Sequence, residues 1–383
     1  MRGGPSSSRG RKKKGAKKKT KKKTEEQGAA LAFEQVRGAF DQQNPNDFTT
    51  RLLQILWGCG VRPSAGRGLL GDVSKLITSG DGSPLETHAC GLGARRCTCT
   101  RRSRCNCDRI FADPDATRAY DSYRKKYFFG HWWYEIVVGS EGHDLPLGLE
   151  LFPGHTTDFF ASVHVTERVF KHMREHAPDW KMHVHIADTG QDSEANHAYL
   201  RERGILPVIP IRKNAPDVHP ERKEVRLSPR AVPMCQAHVE MYPWGTSGPH
   251  SPQFVCPVKA GKLKRCPIAP KAEPNWRCDP KTRLGPTIHL RTDKHPRLFP
   301  IIARNSPRFH RLYAKRTASE RSNSMKKRAL ALQRCQHRRH SFWLCRLYFA
   351  ALLQHAKVWA TEVGDPRTWI RELISLPEER AAA

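Results

Sequence analysis

The run from Tyr127 to Ile211 constrains the fold more than any other part of this chain, because strand and helix signatures follow one another there with only short breaks. Tyr127 to Val138 is aromatic and β-branched, which suits a pleated, half-buried strand, and Leu145 to Phe152 is a second apolar run of strand length. His155 to His176 then has helical spacing through Phe159, Val163, Val165, Val169 and Phe170, with Asp158 near its N-terminus and Pro178 beyond its end. Lys181 to Ala187 alternates as a strand, Asp192 to Arg203 reads as a helix stopped by Gly204, and Leu206 to Ile211 is a further apolar strand. Two strand-to-helix passages with antiparallel neighbours predict a mixed α/β sheet. Asp188 falls where a strand hands over to a helix, a place that ligand sites favour.

The flanks are read from shifts in pattern. Residues 1–27, with twelve Lys or Arg and no acid in the first 24 positions, are expected to be a disordered polybasic tail that binds phosphates, the alternative being a merely solvated one. Residues 28–72 carry apolar positions at helical spacing (Leu31, Phe33, Val36, Phe40, Phe48, Leu52, Leu53, Ile55, Leu56) and predict a small helical region suited to DNA binding. Val73 to Ile77 reads as strand before the turn-rich Ser79 to Pro84, which places Asp81 at or beside a strand. The core's first part is 73–214, including a Cys-rich basic loop at 90–126. Residues 215–304, rich in Pro and poor in helical periodicity, read as a β-rich insertion. Residues 305–362 return to helix and complete the core, and 363–383 form a C-terminal tail.

Charge narrows the choice of partner. Lys and Arg number 67 against 37 Asp and Glu, a formal net charge of +30. Such an excess repels itself unless a polyanion meets it, so nucleic acid is the first partner to expect. No apolar segment has the length that spans a bilayer, and the basic start is not followed by an apolar stretch of the signal-peptide kind, so no membrane partner is expected. Twelve cysteines without an export signal point to reduced thiols, some on metal, rather than to a disulfide framework.

Tyr313, Arg316, Glu320 and Lys327 fall within an arc of roughly 60° if they share one helix at about 100° per residue. The bland alternative is a solvated stripe with an Arg-to-Glu pair one turn apart. The functional reading is a carboxylate for a divalent cation beside groups that grip phosphate oxygens. A phosphodiester site of that kind uses carboxylates from separate elements on two Mg²⁺ ions about 4 Å apart, and Asp81 and Asp188 are candidates for the others.

Tyr313-x2-Arg316-x3-Glu320-x6-Lys327 resembles the signature of the DDE-type insertion-sequence transposases. The segment from Tyr313 to Ser324 is similar to that around the family's catalytic glutamate, and Asp81-Gly-Ser-Pro-Leu to the strand end with its first aspartate. Ile186-Ala-Asp188 with Gly204-Ile-Leu-Pro-Val-Ile is similar to the region of its second, and Asp113-Pro-Asp-Ala-Thr, Asp121-Ser-Tyr and Phe129-Gly-His resemble other stretches of the family. The resemblance implies an RNase H-like catalytic core, interrupted by the insertion, with Asp81, Asp188 and Glu320 as catalytic ligands of two Mg²⁺ or Mn²⁺ ions. It implies that Tyr313, Arg316 and Lys327 contact DNA. It also implies a DNA transposase that hydrolyses phosphodiesters and transfers strands at element ends, acts on double-stranded terminal repeats and target DNA as a homodimer, and resides in a prokaryotic cytoplasm at the nucleoid. Asp192 is the alternative to Asp188. The rival readings are an inactive transposase-derived DNA-binding protein and a zinc-bearing nucleic-acid-binding module.

Cys97-x-Cys99-x5-Cys105-x-Cys107 lies among Arg95, Arg96, Arg101, Arg102 and Arg104. Four thiolates can satisfy tetrahedral Zn²⁺, and the alternative is a set of reduced thiols in a DNA-facing loop. Cys235, Cys256, Cys266 and Cys278 form a second candidate set. His183 and His185 flank a strand near Asp188 but suit hard cations poorly, and Trp132 and Trp133 read as sheet residues.

Overall fold

The computed structural model describes residues 47–100, 105–140, 142–213, 215–267, 283–334 and 336–363. The polybasic tail, the first part of the N-terminal helical region, Cys278, Arg101, Arg102, Arg104 and the C-terminal tail lie outside the described residues.

The N-terminal helix α1 (Phe48–Leu56) starts at Asp47, whose carboxylate accepts from the Thr49 amide at 2.6 Å. It continues through a π turn at Trp57–Val61 into the short α2 (Arg62–Gly66). Leu53, Leu56, Trp57 and Val61 enter the main core, and the Trp57 indole donates to the Leu147 carbonyl at 2.8 Å. Strand β1 (Leu76–Glu86) follows, then the two-residue strands β2 (Ala94–Arg95) and β3 (Arg109–Ile110), β4 (Thr117–Asp121), β5 (Lys126–Ser140) and β6 (His143–Pro153). The long helix α3 (Asp158–His176) is capped by Thr157 and leads to β7 (Met182–Ile186), α4 (Glu194–Glu202), capped by Ser193, and β8 (Leu206–Val208).

The central sheet is mixed, as its sequence pattern predicts. β5 pairs antiparallel with β1 on one side and, end to end on the other, with β4 and β6. β7 and β8 run parallel to β1. Side chains alternate across β5 and so assign its two faces. Trp132 and Tyr134 point to the α3 side, where they bond Asp158 and Gln191, and Glu135 points to the opposite side.

One expectation fails locally. The Ser79–Pro84 stretch is no turn but the middle of β1, in register with β5 through Asp81↔Glu135 and Ser83↔Trp133. Its glycines serve close approach rather than chain reversal. A Cβ on Gly80 would strike the Tyr134 hydroxyl, and one on Gly82 would strike the Asp158 carboxylate and the Trp132 indole.

The insertion carries a small antiparallel sheet of β9 (Tyr242–Thr246), β10 (Pro252–Val255) and β11 (Ile288–His289), with its own core around Leu227, Met241, Phe254, Leu290 and Phe299. It is tied back to the main sheet by Arg304, which donates to the carbonyls of Ile209 and Leu298 at 3.1 and 3.0 Å. Then come α5 (Pro307–Ala314), α6 (Thr317–Arg328) and α7 (His340–Val363). The helix expected to carry the whole Tyr313 to Lys327 stripe is therefore two helices. The chain tightens at the joint, where Lys315 and Arg316 donate to the carbonyls of Leu312 and Tyr313, both at 2.9 Å. α6 covers the sheet face opposite α3, and α7 packs on β6 through Trp343, Leu347 and Tyr348, whose hydroxyl donates to the Leu149 carbonyl at 2.9 Å. Among the described residues no helix is long and apolar enough to cross a membrane.

Candidate metal centre and the acidic crevice

The loop between β1 and β4 folds back as a ribbon, β2 against β3, with the pairs Ala94↔Ile110 and Arg95↔Arg109. That pairing brings the two Cys-x-Cys segments side by side. Cys97 and Cys105 Sγ stand 3.1 Å apart and Cys99 and Cys107 Sγ 3.5 Å apart, and all four sulfurs lie within 4.8 Å of one another. A tetrahedral zinc with bonds of about 2.3 Å places its sulfurs roughly 3.8 Å apart, so the set fits one such ion with small adjustments. The alternation sets Cys97 and Cys105 inward and Cys99 and Cys107 toward solvent.

The thiols also behave electrostatically as a set that wants a cation. Hydrogen bonding from Cys97, with help from the Cys107 backbone and Arg95, holds the Cys105 thiol down to about 6. Hydrogen bonds to Cys99 and its neighbours push Cys107 up to about 12. One thiolate forms readily and opposes the next, and a divalent ion removes that opposition. The second candidate set does not assemble among the described residues: Cys235, Cys256 and Cys266 form no converging group.

Asp81, Asp188 and Glu320 come to one region of the sheet without forming a ligand set. Asp81 lies on β1 facing α6, where Asn323 Nδ2 donates to it at 2.9 Å. Burial above all, together with the charges of Asp158 and Asp188, pushes its carboxyl up to about 7. Asp158, which the sequence suggested only as an acid at a helix start, reaches the same strand from the α3 side over Gly82. It is raised by burial to about 6 and held by the Trp132 indole at 2.8 Å. Asp188 turns its carboxylate back to the Gly190 amide at 2.8 Å, capping the short turn after β7. Glu320 is 46% exposed and bound to Arg316 at 2.6 Å, the i,i+4 pair of the bland reading. Arg316 also lies over the Tyr313 ring at 5.8 Å. Lys327 turns inward to the Ser83 hydroxyl, and burial brings its ammonium down to about 8.

Asp192 has a structural task. Burial raises its carboxyl, but hydrogen bonds with His197 and Arg297 outweigh that and hold it down to about 2, and the Arg212 amide donates to it at 2.9 Å. His185 is buried with Thr78 at 3.0 Å, and Trp133 is a core residue.

The expected two-metal centre is therefore corrected. Asp81 and Asp158 approach β1 from opposite faces, Asp188 is turned into its own cap and Glu320 is committed to Arg316, so their oxygens do not converge. The four-cysteine group is the one set of three or more potential ligands that does so among the described residues. With it fall the Mg²⁺ or Mn²⁺ pair, the transposase assignment and the phosphodiester hydrolysis and strand transfer that depended on it. No protein-family model matches the chain, and no curated protein matches it.

Proposed function

We propose that this chain is a zinc-bearing nucleic-acid-binding protein. Zn²⁺ held by Cys97, Cys99, Cys105 and Cys107 fixes the β2–β3 ribbon, and the ribbon presents Arg96 and Arg109, both exposed, to phosphates. The observation that carries this reading is the convergence of four sulfurs within 4.8 Å on one loop. A net charge of +30 supports the polyanionic partner. A nucleic-acid backbone, duplex or single-stranded, is the partner proposed for this phosphate-binding surface, while Arg316 and Lys327 are taken up by Glu320 and Ser83. The core is proposed to be RNase H-like as a fold only. The antiparallel β1, β5 and β6, with the short β4 added at the end of β5, followed by β7 and β8 parallel to β1, support that comparison, and fold alone assigns no chemistry.

The test is metal analysis of protein purified without added zinc, followed by duplex binding. One zinc per chain is expected, falling to none in Cys97→Ser/Cys105→Ser, with a weaker grip on a 20-base-pair duplex. Metal-free wild type with unchanged duplex affinity would sink the proposal.

A further inference from the structure

We infer that the β4–β5 hairpin is a stacking platform for unpaired bases. The inference rests on the nucleic-acid reading above and adds a second surface to it. β4 is an edge strand, paired only with β5 among the described residues. Cross-strand partners share a face, so Arg118, Tyr120, Tyr127 and Phe129 line one side of the hairpin through the pairs Tyr120↔Tyr127 and Arg118↔Phe129. Tyr120 is 53% exposed and Tyr127 76%, with their rings meeting edge to face at 5.1 Å. Tyr123, at the tip, is 94% exposed.

Three exposed tyrosines in eight residues are more aromatic surface than the fold needs, since beyond the cross-strand Tyr120–Tyr127 contact none of them enters the core. Each has a flat face available to a partner, and base stacking on an exposed ring is tolerant of sequence. Cations suited to the backbone of such a strand stand nearby, all of them exposed: Arg118 shares the face of Tyr120 and Tyr127, Arg124 and Lys125 lie in the tip beside Tyr123, and Lys126 borders the opposite face. Glu86 steadies two of them, at 3.0 Å from Lys126 and 3.6 Å from Arg124.

The tip is held in shape. The Asp121 carboxylate accepts from the amides of Tyr123 and Arg124 at 3.0 and 3.1 Å, and Lys125 takes a left-handed conformation with φ of 54°. A prepared platform loses little freedom when a base settles on it. It is also continuous with the zinc ribbon, because Phe129 meets Phe111 at 5.7 Å and Phe111 directly follows β3. Phosphates gripped at the ribbon thus lead the strand toward the tyrosines. This charge and aromatic pattern favours single-stranded nucleic acid over an apolar protein partner.

The experiment compares binding of the full-length protein to a fluorescein-labelled dT20 strand and to a blunt 20-base-pair duplex at one salt concentration. Wild type is expected to prefer dT20. Tyr120→Ala/Tyr127→Ala and Tyr123→Ala are expected to weaken dT20 binding by roughly fivefold or more each, with little change on the duplex. The corresponding Phe variants should bind dT20 as wild type does, because a ring is what stacks. Because the side chains are exposed, unchanged thermal melting verifies that the fold survives. Equal wild-type affinity for strand and duplex, Ala variants that bind dT20 normally, or Phe variants as weak as the Ala variants would each overturn the platform and leave the zinc ribbon's role standing. Wild type that binds neither probe would instead overturn the nucleic-acid reading itself.

Discussion

At the scale of single residues, the clearest consequence concerns Asp81. Its folded-state value of about 7 lies above the usual carboxylate range, chiefly through burial. The folded chain therefore keeps a proton that the unfolded chain releases, so the protonated group's contribution is fully present below about pH 4 and is lost as pH rises through 7. Asp81→Asn keeps an acceptor for Asn323 and removes the ionisation. We expect the variant to melt later than wild type at pH 8, by about 2 kcal/mol once solvent screening is allowed for, and the two to converge near pH 4. Thermal melts across that range measure it, and a gap that widens toward acid would refute the assignment. Asp81 could be singled out from the sequence, but its protonation could not, because that depends first on its burial between β1 and α6 and then on Asp158 arriving over Gly82, both set by segments far along the chain.

At the scale of elements, α6 is locked to β5 by a charge pair. Lys326 Nζ lies 2.6 Å from Glu135 and also donates to Ser322 and Gln354 at 2.7 and 2.8 Å, with both members of the pair fully buried. Removing one member of a buried pair strands the other. Lys326→Met should cost roughly 3–5 kcal/mol, and Lys326→Met/Glu135→Leu should recover most of it. Urea denaturation of the two single variants and the double decides the matter, and additive losses would show that the pair is not coupled. In sequence, Lys326 reads as one more cation in a basic helix. Its alternation partner Glu135 sits in a strand where only apolar periodicity signals a face.

At the scale of the whole molecule, the four cysteines sit on a loop while the main core draws on α1, the sheet, α3 and α7. Removing zinc should therefore loosen the ribbon and leave the core standing. With a chelator, we expect protease cleavage between residues 90 and 126 to accelerate while the main melting transition moves little. A collapse of the entire transition on chelation would mean that the ribbon carries the fold.

The sequence by itself determined the order of strands and helices from β5 to β8, the β-rich insertion, the basic character and the first of two candidate cysteine sets, but it did not show β4, which lies inside the stretch read as a Cys-rich loop. These follow from local periodicity, composition and short spacing, which act within a few residues of each other. The tertiary structure alone decided that Gly80 and Gly82 lie inside a strand, that the Tyr313 to Lys327 stripe breaks into two helices, and that Asp81, Asp188 and Glu320 are held by different partners. It also decided that the cysteines converge and that Tyr120 and Tyr127 share an exposed face. Those outcomes depend on distances between segments far apart in the chain, and a carboxylate's role is set by the groups that reach it first in space.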